Sequence, residues 1–458
     1  MTISIPKGTR DFSPEEMVKR NHIFDTVKSV FKLYGYLPIE TPAMENLGTL
    51  LGKYGEEGDK LLFKILNSGN FLDNVSSELL VADKYMPLTN KISEKGLRYD
   101  LTVPFARYVV QHRNDIVLPF RRYQIQPVWR ADRPQKGRYR EFFQCDADVV
   151  GSVSLLNEVE LLQIIDAVFA ELNIEITVKL NNRKILAGIA GMMMQSDRLT
   201  DITTAIDKIE KIGVDAVKQE LADRGISEEQ ISILEPILCI EGDNREKLNK
   251  IEAVFLSAQN AEAGLAGIAE LRTVLNCLDE LNADSSSSVE IDFSLARGLN
   301  YYTGAIIEVK ANNMEMGSIC GGGRYDNLTG IFGMKDVSGV GISFGADRIY
   351  DVMTAKNLFP HNTVETTRIL FANMGHGEAI YCLKALRKLR AAGISAEMYP
   401  DTVKLKKQME YADKRGIPFV AIAGDSEILS ESFTLKNMRL KTQIQVSLEE
   451  LIDNVKIS

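Results

Sequence analysis

Met17, Arg20, Phe24, Val27, Phe31 and Tyr34 recur at intervals of three and four, the spacing that gathers side chains on one face of a helix. Ser13-Pro-Glu-Glu16 stands just before this stripe and has the form of a capping box with proline at the first helical position. Gly35 can end the helix. The following Tyr36-Leu-Pro-Ile-Glu-Thr-Pro42 reads as extended, because each proline keeps the residue before it out of helical geometry. Such a helix feeding an edge-like strand makes an association surface, and packing onto its own domain is an equally physical use.

Strand-like runs then cluster at 96–101, 120–127, 141–150, 174–180, 289–295, 305–309 and 339–344. The runs 123–130 and 140–150 flank a loop of Asp, Arg, Pro, Gln, Lys and Gly, which predicts an antiparallel pair. Few helical patterns separate these runs, so an α+β unit with helices to one side is expected. Between about Asn181 and Asp284 the pattern changes to helices with charged faces, such as 200–217 and 249–281, closed by Ser285-Ser-Ser-Ser288. Beyond the polar stretch 356–367, strand and helix signals alternate, predicting a separate α/β domain with a partly parallel sheet.

With 458 residues, 45% of them hydrophobic, the chain has length for two or three cores. No apolar run reaches the roughly 20 residues needed to cross a bilayer. The first ten residues lack the apolar core and cleavage site of a secretory signal, so a cytoplasmic location without membrane attachment is expected. The five cysteines are odd in number and widely spaced, which favours free thiols over disulfides or a zinc site. A net charge of -9 argues against a protein that coats nucleic acid without specificity. Locally the balance reverses: Arg121, Arg122, Arg130, Arg133, Lys136, Arg138 and Arg140 face Asp132 alone between Pro119 and Arg140, which points to an anionic partner.

Common nucleotide motifs are missing. Gly48-Thr-Leu-Leu-Gly-Lys53 is one residue short of a Walker A loop and lacks its Ser or Thr, and no G-x-G-x-x-G joins a strand to a helix. Cys320-Gly-Gly-Gly-Arg-Tyr-Asp326, taken alone, reads as a tight turn, although glycine there would also let backbone approach a ligand. The hairpin is more specific, since Arg130, Arg138 and Arg140 at its base and connection could hold guanidinium forks against phosphate. Asp132 could orient one of them. Phe142 and Phe143 must face opposite sides of their strand, one free to stack on a planar ring and the other to pack in the core. Asp100 beside Thr102, and Asp148 four residues beyond Gln144, supply acceptors suited to an ammonium group or an imidazole N–H. Arg297, Tyr301 and Tyr302 add a cation and phenols after a strand, and Arg348 stands at a predicted helix start.

Arg130-Ala-Asp132 with the downstream Arg138-Tyr-Arg-Glu-Phe-Phe-Gln144 resembles motif 2 of the class II aminoacyl-tRNA synthetases. Gly341-Ile-Ser-Phe-Gly-Ala-Asp-Arg348 resembles motif 3, and the helix and strand ending at Pro42 resemble motif 1. Leu295-Ala-Arg-Gly-Leu-Asn-Tyr-Tyr302 and Cys320–Asp326 are similar to segments peculiar to the histidyl-tRNA synthetases, and 97–107 and 143–148 to the eukaryotic-style variant of that family's pocket. The resemblance implies an antiparallel class II catalytic domain over 1–360 with a helical insertion at about 190–284, and an α/β anticodon-binding domain over 361–458. It implies a histidine–tRNA ligase using ATP and Mg²⁺, with tRNA(His) and L-histidine as substrates, acting as a homodimer.

By the same resemblance Asp100, Leu101, Thr102, Arg130, Gln144, Asp148, Arg297, Tyr301, Tyr302 and Tyr325 contact histidine. Arg130, Asp132, Arg138, Phe142 and Arg348 contact ATP, with Arg130 and Arg297 catalytic on the α-phosphate; no residue is assigned to a metal. Lys404, Lys406, Lys407, Lys414 and Arg415 are candidates for RNA phosphates. Asn300 and Asp347 depart from the family, which more often has Asp and Glu there. Two alternatives are carried forward: a histidine-binding regulatory paralogue that does not charge tRNA, and a class II synthetase for proline, threonine or glycine.

Overall fold

The computed structural model describes residues 3–73, 75–80, 85–238, 240–281, 287–296, 301–360 and 367–457. Two compact units, Met1–Phe359 and Pro360–Ser458, make up the chain.

The first unit is built on an eight-stranded sheet in the order Leu37–Pro38, Phe120–Trp129, Glu141–Val150, Gly339–Gly345, Cys320–Tyr325, Ala305–Ala311, Ile176–Asn182, Ser288–Ile291. Its six central strands pair antiparallel, and the outermost strand on each side joins in parallel. Strand alternation gives the sheet two chemically different faces. On one, Tyr123, Cys145, Ala147, Val149, Val340, Ile342 and Phe344 are buried in the main core. The helices Pro14–Leu33 and Leu156–Glu171 close that face, with Phe31 and Phe169 at 5.9 and 5.5 Å from the Phe344 ring. The opposite face carries Arg122, Gln124, Gln144, Asp146 and Asp148, all buried although polar. Helix Thr102–Gln111 and the small sheet of Met44–Asn46, Lys64–Ile65 and Lys95–Leu97 belong with a second core, formed by Leu50, Tyr54, Phe105 and Tyr325. Helical structure is therefore not confined to one side.

Helix Pro14–Leu33 begins as predicted, with Ser13 and Glu16 forming both bonds of the capping box. Its buried stripe is Arg20, Ile23, Val27, Val30 and Phe31, while Met17 stays 37% exposed. The tight turn read at Cys320–Asp326 is corrected: Cys320–Tyr325 is a strand in the middle of the sheet. Three successive glycines hide the alternation that marks a strand, and at Gly322 and Gly323 a side chain would collide with neighbouring backbone and, at Gly323, with the Tyr302 ring. The single helix expected over 200–217 is two, Leu199–Ile206 and Ile209–Asp223, the latter kinked at Gly213 with φ of 80°. The one expected over 249–281 is Asn244–Leu256 followed by Glu262–Glu280, with Asn260 at φ of 58° between them. Both belong to a run of helices from Arg183 to Glu280.

The second unit holds a five-stranded sheet in the order Ala396–Met398, Ile369–Phe371, Phe419–Ile422, Ser432–Asn437, Thr442–Ser447. The first three are parallel and the last two antiparallel. Phe371, Leu386, Phe433 and Leu451 centre its core on one face, and Leu370, Ala412 and Val420 on the other. Helix Leu405–Lys414 buries only Gln408 and Ala412, so its lysines stand away from the packed side.

Candidate active site

Three rows of residues cross the polar face of the large sheet. Arg122 lies opposite Asp148, which lies opposite Gly341 and then Gly323; Gln124, Asp146, Ser343 and Gly321 form the next row, and Gln126, Gln144 and Gly345 the third. Within them the Arg122 guanidinium meets the Asp148 carboxylate at 2.8 Å, both fully buried. The Tyr325 hydroxyl donates to Asp148 Oδ1 at 2.6 Å. Gln144 donates from Nε2 to Ser343 Oγ at 2.8 Å. No protein donor among the described residues reaches Gln144 Oε1 or Asp146 Oδ1. A small space opens over these rows, lined by Thr102, Asp146, Asp148, Tyr302, Tyr325 and Ser343 with glycines 321 and 341.

Asp100 follows the short strand Lys95–Leu97 and approaches the same space from another side. Its carboxylate accepts from Tyr54 Oη at 3.1 Å, Tyr301 Oη at 3.2 Å and the Val103 N–H at 3.1 Å. Leu101 is fully buried and contributes its carbonyl, which accepts from Arg122. Removal from water raises all three acids: Asp100, against the pull of the Val103 N–H and Arg130; Asp148, against Arg122 and Tyr325; and Asp146, pushed up to about 7 by burial despite Arg122 and with Asp148 adding to the rise. One guanidinium thus serves two neighbouring carboxylates.

Toward the other end of strand Glu141–Val150, Phe142 shares the face of Gln144 and Asp148. The Arg130 guanidinium lies 4.2 Å from the centre of the Tyr99 ring and 5.2 Å from that of Phe142, with Nε donating to the Tyr99 carbonyl. Phe143 points the opposite way, 5.2 Å from Phe24 in the main core. Arg138 pairs with the buried Asp132 at 2.7 Å and keeps half its side chain exposed. Arg348 donates to the carbonyls of Gly137 and Ser318, which anchors the turn of the hairpin. Arg297 and Asn300 lie outside the described residues.

The expectation of one basic cluster meeting an anion is corrected. Arg122 is buried under Asp148, Arg121 pairs with Glu160 at 2.7 Å, and Arg140 donates to the Asp132 carbonyl. Arg130 lies over the Tyr99 and Phe142 rings, and Arg138 keeps half its side chain exposed beside Asp132. Sequence reasoning missed Asp146, Arg122, Ser343 and Tyr54. Asp146 had a signal, standing midway between Gln144 and Asp148 in a period of two, whereas Tyr54 comes from a distant helix cap with none.

An antiparallel sheet carrying an arginine-bearing hairpin, with a glycine-rich strand leading into the helix of Arg348, defines the catalytic unit of a class II aminoacyl-tRNA synthetase. The histidyl-tRNA synthetase family model matches residues 82–349 and an anticodon-binding domain model matches 369–457. Over 99% of the chain and 98% of the relative, it is 58% identical to a histidine–tRNA ligase of Phocaeicola vulgatus, and it is 58% identical to that of Porphyromonas gingivalis over 95% of each. A crystal structure of histidyl-tRNA synthetase from Nostoc sp. PCC 7120 superposes with a TM-score of 0.80 at 31% identity, covering 100% of this chain and 99% of that one. The chain belongs to the histidyl-tRNA synthetase family, and its enzymatic class is that of an aminoacyl-tRNA ligase. Near-full-length likeness to histidine–tRNA ligases sets aside both the regulatory paralogue and the synthetase for another amino acid.

Proposed function

We propose that this cleft joins L-histidine to ATP, releasing pyrophosphate, and then passes the histidyl group to the 3′ end of tRNA(His). The observation that carries the reading is the placement of Phe142, Gln144 and Asp148 on one face of one strand. At about 3.3 Å per residue this row extends roughly 20 Å, room for an aminoacyl group joined end to end to a nucleotide. Phe142 and Arg130 take the nucleotide end, with Asp132, Arg138 and Arg348 nearer the outer phosphates. The carboxylate end takes histidine: Asp100, with Tyr301 beside it, receives the ammonium, and Asp148, oriented by Arg122 and Tyr325, receives a ring N–H. Gln144, Thr102, Tyr302 and the Leu101 backbone complete the wall.

The attacking histidine carboxylate is ionised at neutral pH and needs no general base. Acceleration then comes from holding two reactants in line and from cations on the phosphate charge that develops, the role assigned to Arg130 and Arg297. Mg²⁺ enters with ATP as the counter-ion of its phosphates; among the described residues no group of three or more His, Cys, Asp and Glu stands ready to hold a metal. In the second step a terminal ribose hydroxyl of the tRNA attacks the adenylate carbonyl. The Pro360–Ser458 unit binds the anticodon region, with Lys404, Lys406, Lys407, Lys414 and Arg415 meeting phosphates. A cytoplasmic homodimer is part of this reading; no helix among the described residues is long and apolar enough to cross a membrane.

ATP–pyrophosphate exchange with a panel of amino acids tests it. Histidine should support exchange while proline, threonine and glycine give background, since a pocket of buried polar groups heavily penalises a side chain that leaves them unpaired. Exchange with one of those three in place of histidine would overturn the assignment.

A further inference from the structure

We propose that Asp146 is a second carboxylate of the amino-acid pocket, and that Asp146 and Asp148 together hold the bound imidazole as a cation, one ring N–H on each. The inference rests on the histidine reading above and deepens it.

Asp146 is 1% exposed, lines the cavity and has one oxygen, Oδ1, with no hydrogen-bond partner among the described residues. Burial of an acceptor without a donor is unfavourable, so a native structure that keeps one is prepared for a donor that arrives with a ligand. Gly321 and Gly341 line the same cavity and bring no side chain into it, which leaves Asp146 open to a ligand from that side. Asp146 and Asp148 are two residues apart on one strand face, about 6–7 Å along the strand. Acceptors at that separation bracket a five-membered ring whose two nitrogens point away from each other.

Charge leads to the same place. Asp146 is faced by Arg122 and Gln124 from strand Phe120–Trp129, by Ser343 from Gly339–Gly345, and by the Cys320 thiol from Cys320–Tyr325. Asp148 on its own strand, Asp100 from its loop and the Tyr302 phenol complete its surroundings, and Arg98 lies behind. Burial keeps the thiol and phenol protonated. Among these groups Arg122 is the near cation, and its contact at 2.8 Å goes to Asp148. A neutral imidazole has one donor and one lone pair, and its lone pair would face a carboxylate. With a proton on each nitrogen the ring donates on both sides and balances the second acid.

The proton has a defined origin. Where burial keeps Asp146 protonated in the free protein it gives the proton to the ring, and where Asp146 is ionised the proton comes from solvent. Titration calorimetry of L-histidine into the full-length protein, in paired buffers of different ionisation enthalpy, counts it. Uptake should approach one proton per histidine at pH 8 and fall, turning to release, as pH is lowered to 6. Asp146→Asn should remove the pH 8 uptake and raise the histidine KM in pyrophosphate exchange about 10- to 100-fold, the scale of a lost charge-assisted hydrogen bond, with the ATP KM little changed. A wild-type enzyme that activates histidine without proton uptake at pH 8 overturns the inference and leaves the ligase reading intact, and this count needs no variant to fold. An Asp146→Asn enzyme with wild-type histidine KM and proton uptake overturns it equally. Failure to activate histidine at all refutes the ligase reading instead.

Discussion

A methyl group on residue 341 would overlap the carboxylate of Asp148, because Gly341 is directly across from it in the sheet. The carboxylate has little freedom to withdraw, held by Arg122 at 2.8 Å and Tyr325 at 2.6 Å. Gly341→Ala should therefore displace Asp148 and raise the histidine KM at least about 10-fold, since a shift of one ångström at a reacting site costs on the order of 100-fold. The ATP KM should move by less than about twofold, as the nucleotide end of the row is several residues away. Steady-state exchange at varied histidine and ATP separates the two, and parallel rises would sink the idea. The same residues show what a sequence reader sees at this scale. Asp148 and Gln144 stand out as acceptors in a strand of large side chains, but Asp146 between them was passed over although its spacing placed it on their face. Arg122 reads as one member of a basic cluster because sequence alone does not tell a buried guanidinium with a carboxylate partner from a solvated one.

Between elements, Asp347 fastens three pieces of chain at one point. It sits in the first turn of helix Ala346–Ala355, where the helix dipole favours an anion. Arg20 of helix Pro14–Leu33 reaches it at 2.5 Å with both side chains buried, Arg10 joins it from the segment before, and the Phe143 N–H donates to its other oxygen at 2.8 Å. The departure from the glutamate of related motifs thus keeps a working junction. Arg20→Met fills the space but leaves Asp347 with the partly exposed Arg10 as its cation beside the Phe143 N–H. It should destabilise the protein by about 2–3 kcal/mol, below the full cost of breaking a buried ion pair because one cation remains. Urea denaturation would read this directly, and a loss under about 0.5 kcal/mol, the range of an ordinary surface change, would show that Arg10 compensates fully. Elements with strong patterning were legible: the capping box and apolar stripe gave helix Pro14–Leu33 to within a residue or two, and alternation gave Glu141–Val150. The strand Cys320–Tyr325 was not, because glycine carries no pattern, and the helix breaks at 207–213 and 257–261 fall in sequence that remains polar and helix-compatible on both sides.

At the scale of the whole molecule, every described residue of the candidate pocket comes from the Met1–Phe359 unit, and the Pro360–Ser458 unit has a sheet and core of its own. The alternation of strand and helix after residue 367 and the helical stretch before residue 284 made this division readable in outline, since each domain class leaves its own period in the sequence. What no local pattern could supply was the convergence of Tyr54, Asp100, Asp148, Tyr301 and Tyr325, which lie up to 271 positions apart and meet only when the sheet is assembled.

That separation of cores gives the division a functional consequence. On the proposed reading adenylate formation asks only for the cleft of the first unit, whereas tRNA charging uses contacts on both. A chain ending at Pro360 should fold around its own core and retain histidine-dependent pyrophosphate exchange within about 10-fold, because a unit with a complete core can stand alone. Its charging of tRNA should fall by roughly 100-fold or more at low tRNA concentration, the scale at which a second linked contact surface strengthens binding. Raising tRNA should recover much of the loss, because the chemistry of transfer remains with the first unit and only the affinity has gone. A truncated enzyme whose charging stays at the wild-type level would take the Pro360–Ser458 unit out of tRNA binding. Loss of exchange together with a lowered Tm would instead place part of the stability of the first unit in the second.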